Sequence, residues 1–159
     1  MNRKKIGMIG ASALVVAGVA LLSKILKNQL KESNKEYHKM LEYYNILVPW
    51  LELKQKGNGL EKYLLDNGYK SIAIYGMANL GNCLYNELKD SSIEIEYAID
   101  KNLSYTWSDE IDIIEFGNQL PSVDAIIVTP VFAYNAIKND LTQYFDGDIV
   151  SLRDIIIGA

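Results

Sequence analysis

The sequence predicts a protein of the α/β class, with a mostly parallel sheet and flanking helices preceded by an N-terminal hydrophobic helix. From residue 71 to the end, short apolar runs alternate with helical patterns, as in a parallel sheet that is buried on both faces. A glycine-containing turn joins the first apolar run to the first helical pattern. Finally, an uncharged run near the start of the chain lies between basic residues.

The composition limits the classes of function open to this chain. Its 159 residues suit one domain with an appendage, and 49% hydrophobic against 23% charged residues indicates a folded core. The net charge of −4 provides no basic surplus for a polyanion, so we expect no nucleic-acid partner. Cys83 is the only cysteine, which excludes an intrachain disulfide and a cysteine-based zinc site. We expect no metal.

The uncharged run is Ile6–Leu22, which is 17 residues long and so lies at the lower limit for a membrane-spanning helix. It is compatible with an uncleaved anchor, a cleaved signal peptide, or a buried or interfacial helix. We expect an anchor helix over residues 1–27, because no clear cleavage site follows the run. Basic residues flank both ends, so charge does not fix the orientation. We expect a single-pass membrane protein, and the lone cysteine together with the nucleotide-type domain favours a main domain that faces the cytoplasm.

Residues 28–70 are predicted to form a helical collar or linker. Apolar residues recur every three or four positions through residue 55, which is typical of a helix. We expect Pro49 to kink or restart this helix because proline lacks a backbone donor. A turn at 56–59 precedes a short helix at 60–67, with Gly68 as its C′ residue. The aromatic side chains of the collar are interpreted as packing against the sheet or a partner subunit.

The remaining chain, 71–159, is predicted to alternate strands and helices. We expect strands at 71–76, 93–99, 111–115, 124–129 and 148–152, helices at about 80–89 and 133–144, and a short apolar tail at 153–159. Strand, glycine turn, helix and strand together form a βαβ unit, whose crossover is almost always right-handed.

The glycine turn identifies this part as a small Rossmann-like domain. Gly76, Ala78 and Gly81 occupy the positions of the Gly-x-Gly-x-x-Gly fingerprint, and Asp100 follows Gly81 by 19 residues. Gly76 permits the tight turn, and Gly81 permits close packing of helix on strand. Ala78 departs from the fingerprint at the position where a pyrophosphate approaches the backbone.

The predicted site gathers residues from three strand ends. Backbone N–H groups at Asn79 and Leu80 would face a phosphate along the helix dipole. Asp100 would accept hydrogen bonds from ribose hydroxyls, and Thr129 ends a buried strand at the ligand-binding edge. The full set is Gly76, Ala78, Asn79, Leu80, Gly81, Asp100 and Thr129. The cofactor is not specified: a dinucleotide such as NAD(P), a mononucleotide or nucleotide-sugar, and no ligand at all remain open.

From about Tyr43 to Ile156 the chain resembles a small Rossmann-like module of bacterial polysaccharide-biosynthesis proteins, often fused to glycosyltransferases. The matching segments are 50–55, 71–77, 80–81, 84–88, 97–102, 123–129 and 149–154. More distantly, the chain is similar to the nucleotide-sugar-binding domain of bacterial sugar acyltransferases. The resemblance implies binding of a nucleotide or nucleotide-sugar near glycan synthesis. The usual pattern has glycine where this chain has Ala78, and a hydrophobic anchor takes the place of the glycosyltransferase.

No catalytic residues are predicted. Tyr134 and Lys138 match the Tyr-x-x-x-Lys pair of short-chain dehydrogenases, but they follow the glycine turn too closely, and Ser122 precedes its strand. Cys83 has no partner base in view and His38 lies among charged residues, so both are interpreted as ordinary helix positions. The carboxylates near the third strand are interpreted as a solvated edge: Asp109, Glu110, Asp112 and Glu115.

These patterns favour a membrane-tethered binding module over an enzyme. Its partners would be the membrane, through Ile6–Leu22, and a separate glycosyltransferase or further copies of the chain. A minimal NAD-dependent oxidoreductase or sugar-modifying enzyme is the first alternative, and it would need a substrate pocket that a chain this short scarcely supplies. A non-binding structural or oligomerisation module is the second. The fold does not choose among the three.

Overall fold

The computed structural model describes residues 3–100, 111–117 and 119–159, with side chains from residue 17 onward. The helices are α1 (Arg3–Gln55), α2 (Leu60–Asp66), α3 (Asn79–Leu88), α4 (Tyr134–Leu141) and α5 (Leu152–Gly158). The strands are β1 (Ser71–Tyr75), β2 (Glu94–Asp100), β3 (Ile113–Glu115), β4 (Ala125–Val128) and β5 (Asp148–Ser151). A 3₁₀ turn, Val131–Ala133, precedes α4.

The five strands form one sheet in the order β3-β2-β1-β4-β5. Every neighbouring pair is parallel, so the prediction of an α/β protein with a parallel sheet is confirmed. The strand order reverses direction at β1, which has β2 on one side and β4 on the other. Such a reversal opens a crevice at the carboxyl ends of the strands.

Helices cover both faces of the sheet. Side chains alternate along each strand, so each strand contributes to a core on either face. Ile72 and Ile74 of β1 face a core shared with the end of α1, with α2, α3 and α5. Ala73 and Tyr75 face a second core shared with α4. Since both faces are buried, β1 and β4 are near-continuous apolar runs, as expected for central parallel strands.

By its contacts the chain divides into two units, Met1–Leu41 and Glu42–Ala159. The first consists of the N-terminal part of α1. The predicted anchor, Ile6–Leu22, lies mostly among residues whose side chains are not described. Among the residues that were searched, no helix is both long enough and apolar enough to cross a membrane. The second unit contains the end of α1, the sheet and the helices α2 to α5.

The prediction that Pro49 restarts the collar helix is wrong, because α1 runs through it without a break. Proline removes one hydrogen bond, to the carbonyl of Asn45. Ile46 and Trp50, on either side of Pro49, are 1% and 5% exposed and belong to the core. Tertiary packing therefore holds the helix together where local propensity would end it.

The strand boundaries differ from the prediction by one or two residues, and two helices differ by more. The segment 153–159 is helix rather than an apolar tail: in α5 Leu152, Ile155 and Ile156 are buried, and the Ser151 hydroxyl accepts a hydrogen bond from the Arg153 N–H at 3.3 Å. The helix expected at 133–144 is shorter and ends at Leu141. By contrast, Gly68 follows α2 with φ +82°, as its predicted C′ role requires.

Candidate functional site

The candidate site is the turn between β1 and α3, and its first glycine is fixed by conformation and by space. Gly76 has φ +91°, a backbone conformation that favours glycine. A Cβ there would lie 2.9 Å from Pro130 and 3.0 Å from the Thr129 hydroxyl. The Gly76 N–H donates to the Ile99 carbonyl at 2.8 Å, which extends the β1–β2 ladder into the turn.

The second glycine allows α3 to pack directly on the turn. A Cβ at Gly81 would lie 2.0 Å from the Gly76 carbonyl oxygen, and that neighbour is backbone. No side-chain rearrangement can relieve such a contact. The structure therefore brings the two predicted glycines together, and each is required by the fold itself.

The start of α3 is open at Ala78 and Asn79. Ala78 is the N-cap residue, with φ −73° and ψ −160° and no side-chain hydrogen bond that caps the helix. Both residues are exposed, whereas the Leu80 side chain is buried in the core. The first N–H groups of a helix have no partners within it, and they favour an anion. Such a helix start is suited to a phosphate, and phosphate binding at Asn79 and Leu80 stays a prediction.

Asp100 is held by the turn itself. Its Oδ2 accepts a hydrogen bond from the Met77 N–H at 2.8 Å. The carboxylate at the end of β2 thus ties the first residues of the turn to the neighbouring strand. Asp100 lies beside the glycine turn, as predicted. Its carboxylate would have to accept a hydrogen bond from a ribose hydroxyl in addition to the one from the Met77 N–H.

Thr129 closes the turn from the side of β4. The residue is 3% exposed, and its hydroxyl donates to the Gly76 carbonyl at 2.7 Å. Its backbone N–H donates to the Tyr75 carbonyl at 3.0 Å. The predicted ligand contact is therefore placed at the correct edge of the sheet, with its hydroxyl directed to the backbone of the turn.

Asn82, in the first turn of α3, contacts the glycine turn in a way that the sequence reasoning missed. Its side-chain Nδ2 donates to the Met77 carbonyl at 2.8 Å and to the Ala78 carbonyl at 3.2 Å. Asparagine is unfavourable inside helices, since it competes for backbone groups. An asparagine one position after the glycine was the available signal for this contact.

The other candidate residues do not form a reactive site. Lys138 Nζ lies 3.3 Å from the Tyr134 hydroxyl, but that hydroxyl donates to the Ile149 carbonyl at 2.7 Å. Cys83 is exposed on α3, and Asp112 and Glu115 are exposed. Asp109 and Glu110 lie outside the described residues. Across the described part of the chain, no three His, Cys, Asp or Glu side chains are grouped so that they could hold a metal.

Comparison with known proteins finds no family model, curated protein or solved structure significantly similar to this chain.

Proposed function

We propose that this chain is a Rossmann-like module that binds a nucleotide or nucleotide-sugar at its glycine turn. The observation that carries the proposal is the open N-terminus of α3, which no side chain caps and which follows β1, where the strand order reverses. The strand order β3-β2-β1-β4-β5 supports the proposal, because the first five strands of a dinucleotide-binding sheet have the same order. A phosphate at the helix start would be stabilised by the N–H groups and the helix dipole.

Ala78 determines how closely a ligand can approach. Its φ of −73° is ordinary for any L-residue, so the fold does not require glycine here. Ala78 is exposed at the start of α3, so its methyl group would stand between the helix N–H groups and an approaching ligand. This favours a ligand that touches the turn with one phosphate, or at a slightly greater distance, over a closely docked pyrophosphate.

The proposal includes membrane tethering and a role in bacterial surface-polysaccharide biosynthesis. Tethering is supported by the uncharged run Ile6–Leu22 between basic residues. The biosynthetic role is supported by the resemblance over residues 43–156, which implies a separate glycosyltransferase as the enzyme. Replacing Val15 with Asp should release the full chain from the membrane fraction, since a charge at a helix centre costs about 2.5–3.5 kcal/mol. Retention of the variant would contradict tethering.

Thermal unfolding of the full chain tests binding, with NAD(H), NADP(H), UDP- and CDP-sugars and nucleoside phosphates as ligands. A ligand at 100 times its dissociation constant adds about 2.7 kcal/mol of stability, a shift of several degrees. Ala78→Gly should retain or enlarge the shift, and Ala78→Val should reduce it. Since Ala78 is exposed and its backbone is unstrained, both variants should fold, and their melting temperatures without ligand serve as controls. Gly81 is unsuitable for this test because its substitution disturbs the turn.

A second candidate function is that of a structural module without a ligand. It is favoured by hydrogen bonds that Asp100, Thr129 and Asn82 each make to backbone groups of the turn. On this view the polar residues stabilise the crossover and nothing else. Millimolar ligands that give no shift with either the natural chain or Ala78→Gly would favour this function and refute the first.

A further inference from the structure

One side of α1 in the first unit carries a row of lysines. At 3.6 residues per turn they fall within an arc of about 80°, at steps of three and four residues: Lys24, Lys27, Lys31 and Lys35. All four are exposed, and within the described residues none of them takes part in an ion pair. We propose that this lysine row binds the anionic headgroups of a lipid bilayer, as a membrane contact additional to the uncharged run.

The neighbouring charges leave the lysine row basic. The acidic residues within 1–41 are Glu32 and Glu36, which the helical repeat places about 100° and 140° from the middle of the row. Glu36 lies 4.0 Å from Lys39, so the lysine one turn beyond the row already has a partner. Like charges four residues apart destabilise a helix. An anionic partner along the row would relieve this repulsion.

The length of the lysine row fits a surface better than a single anion. A helix rises 1.5 Å per residue, so ~16 Å separate Lys24 from Lys35. One phosphate group cannot reach all four lysines, whereas a bilayer that contains acidic lipids presents phosphates along its whole surface. Groups of four to eight basic residues beside a membrane-spanning segment are typical of contact with acidic lipids.

The position of the row favours lipid over the acidic part of another copy. Residues 42–159 contain eighteen acidic and eight basic residues, so a second copy is the competing partner. However, Lys24 follows the uncharged run Ile6–Leu22 by two residues. With that run in the bilayer, as proposed above, Lys24 and Lys27 lie about 3 and 8 Å beyond its end. Both are within the ~10 Å over which exposed charges interact at 0.1 M salt, and a tilt of the helix brings the later lysines closer.

Acrylamide quenching of a labelled cysteine in the full chain tests the contact. In a Cys83→Ala background, Asn28→Cys, between Lys27 and Lys31, carries the fluorescent label. The chain is mixed with vesicles of phosphatidylcholine alone, or of phosphatidylcholine and phosphatidylglycerol in equal amounts. The natural Cys83, exposed on α3, carries the label in the control chain. We expect quenching at residue 28 to be at least about twofold weaker with the anionic vesicles, a change well beyond any at Cys83, since each lysine contributes about fivefold to such binding.

Removing the lysines should abolish this difference between vesicles. One variant combines Lys24→Gln, Lys27→Gln, Lys31→Gln and Lys35→Gln, and glutamine retains the helix propensity. The matched control makes the same change at four exposed lysines of the second unit: Lys56, Lys62, Lys70 and Lys89. It alters the net charge equally and should keep the difference. Circular dichroism confirms that both variants are folded.

Three results would overturn the lysine contact. They are a natural chain without the difference between vesicles, a difference that survives the substitutions in the row, and one that the matched control loses as well. Protection of residue 28 that is equal in both vesicles or present without lipid belongs to the first case, and it would indicate another copy as the partner. Flotation with phosphatidylcholine vesicles tests the proposed tether by itself, so failure of the tether and failure of the lysine contact are distinguishable.

Discussion

Replacing Glu87 with alanine should destabilise the second unit far more than a typical surface substitution does. Its side chain is 7% exposed and joins three helices. Oε2 accepts from the Trp50 indole N–H on α1 at 2.6 Å, and Oε1 accepts from the Leu60 N–H at the start of α2 at 2.9 Å. Lys54 Nζ lies 3.3 Å from Oε1. Since Gly59 cannot cap α2 with a side chain, Glu87 does so from α3.

The magnitude follows from these contacts. Hydrogen bonds to a charged group contribute about 1.5–3 kcal/mol each, so the two together account for about 3–6 kcal/mol. Lys54 is half exposed, and its ion pair adds at most ~1 kcal/mol. We therefore expect Glu87→Ala to lower the free energy of unfolding by about 3–7 kcal/mol, a large part of the ~5–15 kcal/mol of a typical domain.

Urea denaturation followed by circular dichroism measures the loss, and a double-mutant cycle assigns it. In a Trp50→Phe background the indole donor is absent, so Glu87→Ala should cost about 1.5–3 kcal/mol less than in the natural chain. Glu52→Ala, an exposed glutamate on α1, should change stability by less than ~0.5 kcal/mol. A Glu87→Ala cost no larger than that of Glu52→Ala, or one unchanged by Trp50→Phe, would refute the reasoning.

Three more predictions concern the turn and the inner strands of the sheet. Gly81→Ala should cost about 1–3 kcal/mol or more in urea denaturation, because its Cβ would meet the Gly76 carbonyl, and a cost below ~0.5 kcal/mol would contradict this packing. Burial raises the pKa of Tyr97 to about 12 from 10.0. The contribution of neutral Tyr97 to the free energy of unfolding is therefore complete below pH 10 and is lost as the pH rises through 12. Absorbance titration should show this tyrosine ionising late, and ionisation near pH 10 in the folded chain would contradict it. The Ser71 and Lys70 N–H groups hold the pKa of Asp124 below 3.8. The contribution of ionised Asp124 to the free energy of unfolding is therefore present above pH 3.8 and is lost as the pH falls through the folded-state pKa. In Asp124→Asn, the free energy of unfolding should fall less steeply as the pH is lowered in this range.

The strands could be predicted because each corresponds to a short run of residues whose pattern is visible in the sequence itself. Ala125–Val128 is fully buried, and only an uninterrupted apolar run can satisfy that environment. The helix at the C terminus, α5, could also have been predicted from the sequence. Leu152, Ile155 and Ile156 have helical spacing behind a serine N-cap, but the brevity of the segment concealed the pattern.

Hydrogen bonds between residues far apart in the chain could not be predicted from the sequence. Trp50 and Glu87 are 37 positions apart, and no periodicity links an indole donor to a carboxylate on another helix. The same applies to the turn, where Thr129 reaches Gly76 across 53 positions. Residue type and spacing placed Thr129 at the correct edge of the sheet. The direction of its hydroxyl depends on how closely β1 and β4 approach.

Asp100 and Ala78 therefore give different information about the same turn. Asp100 accepts from the Met77 N–H, so Asp100→Asn weakens the turn whether or not a ligand binds. Ala78 has exposed side-chain surface and an unstrained backbone, so its substitution acts mainly on whatever approaches the helix start. A lower melting temperature in Asp100→Asn without ligand is expected for either function. A ligand-dependent difference between Ala78→Gly and Ala78→Val is expected only for a binding site, which makes position 78 the discriminating residue.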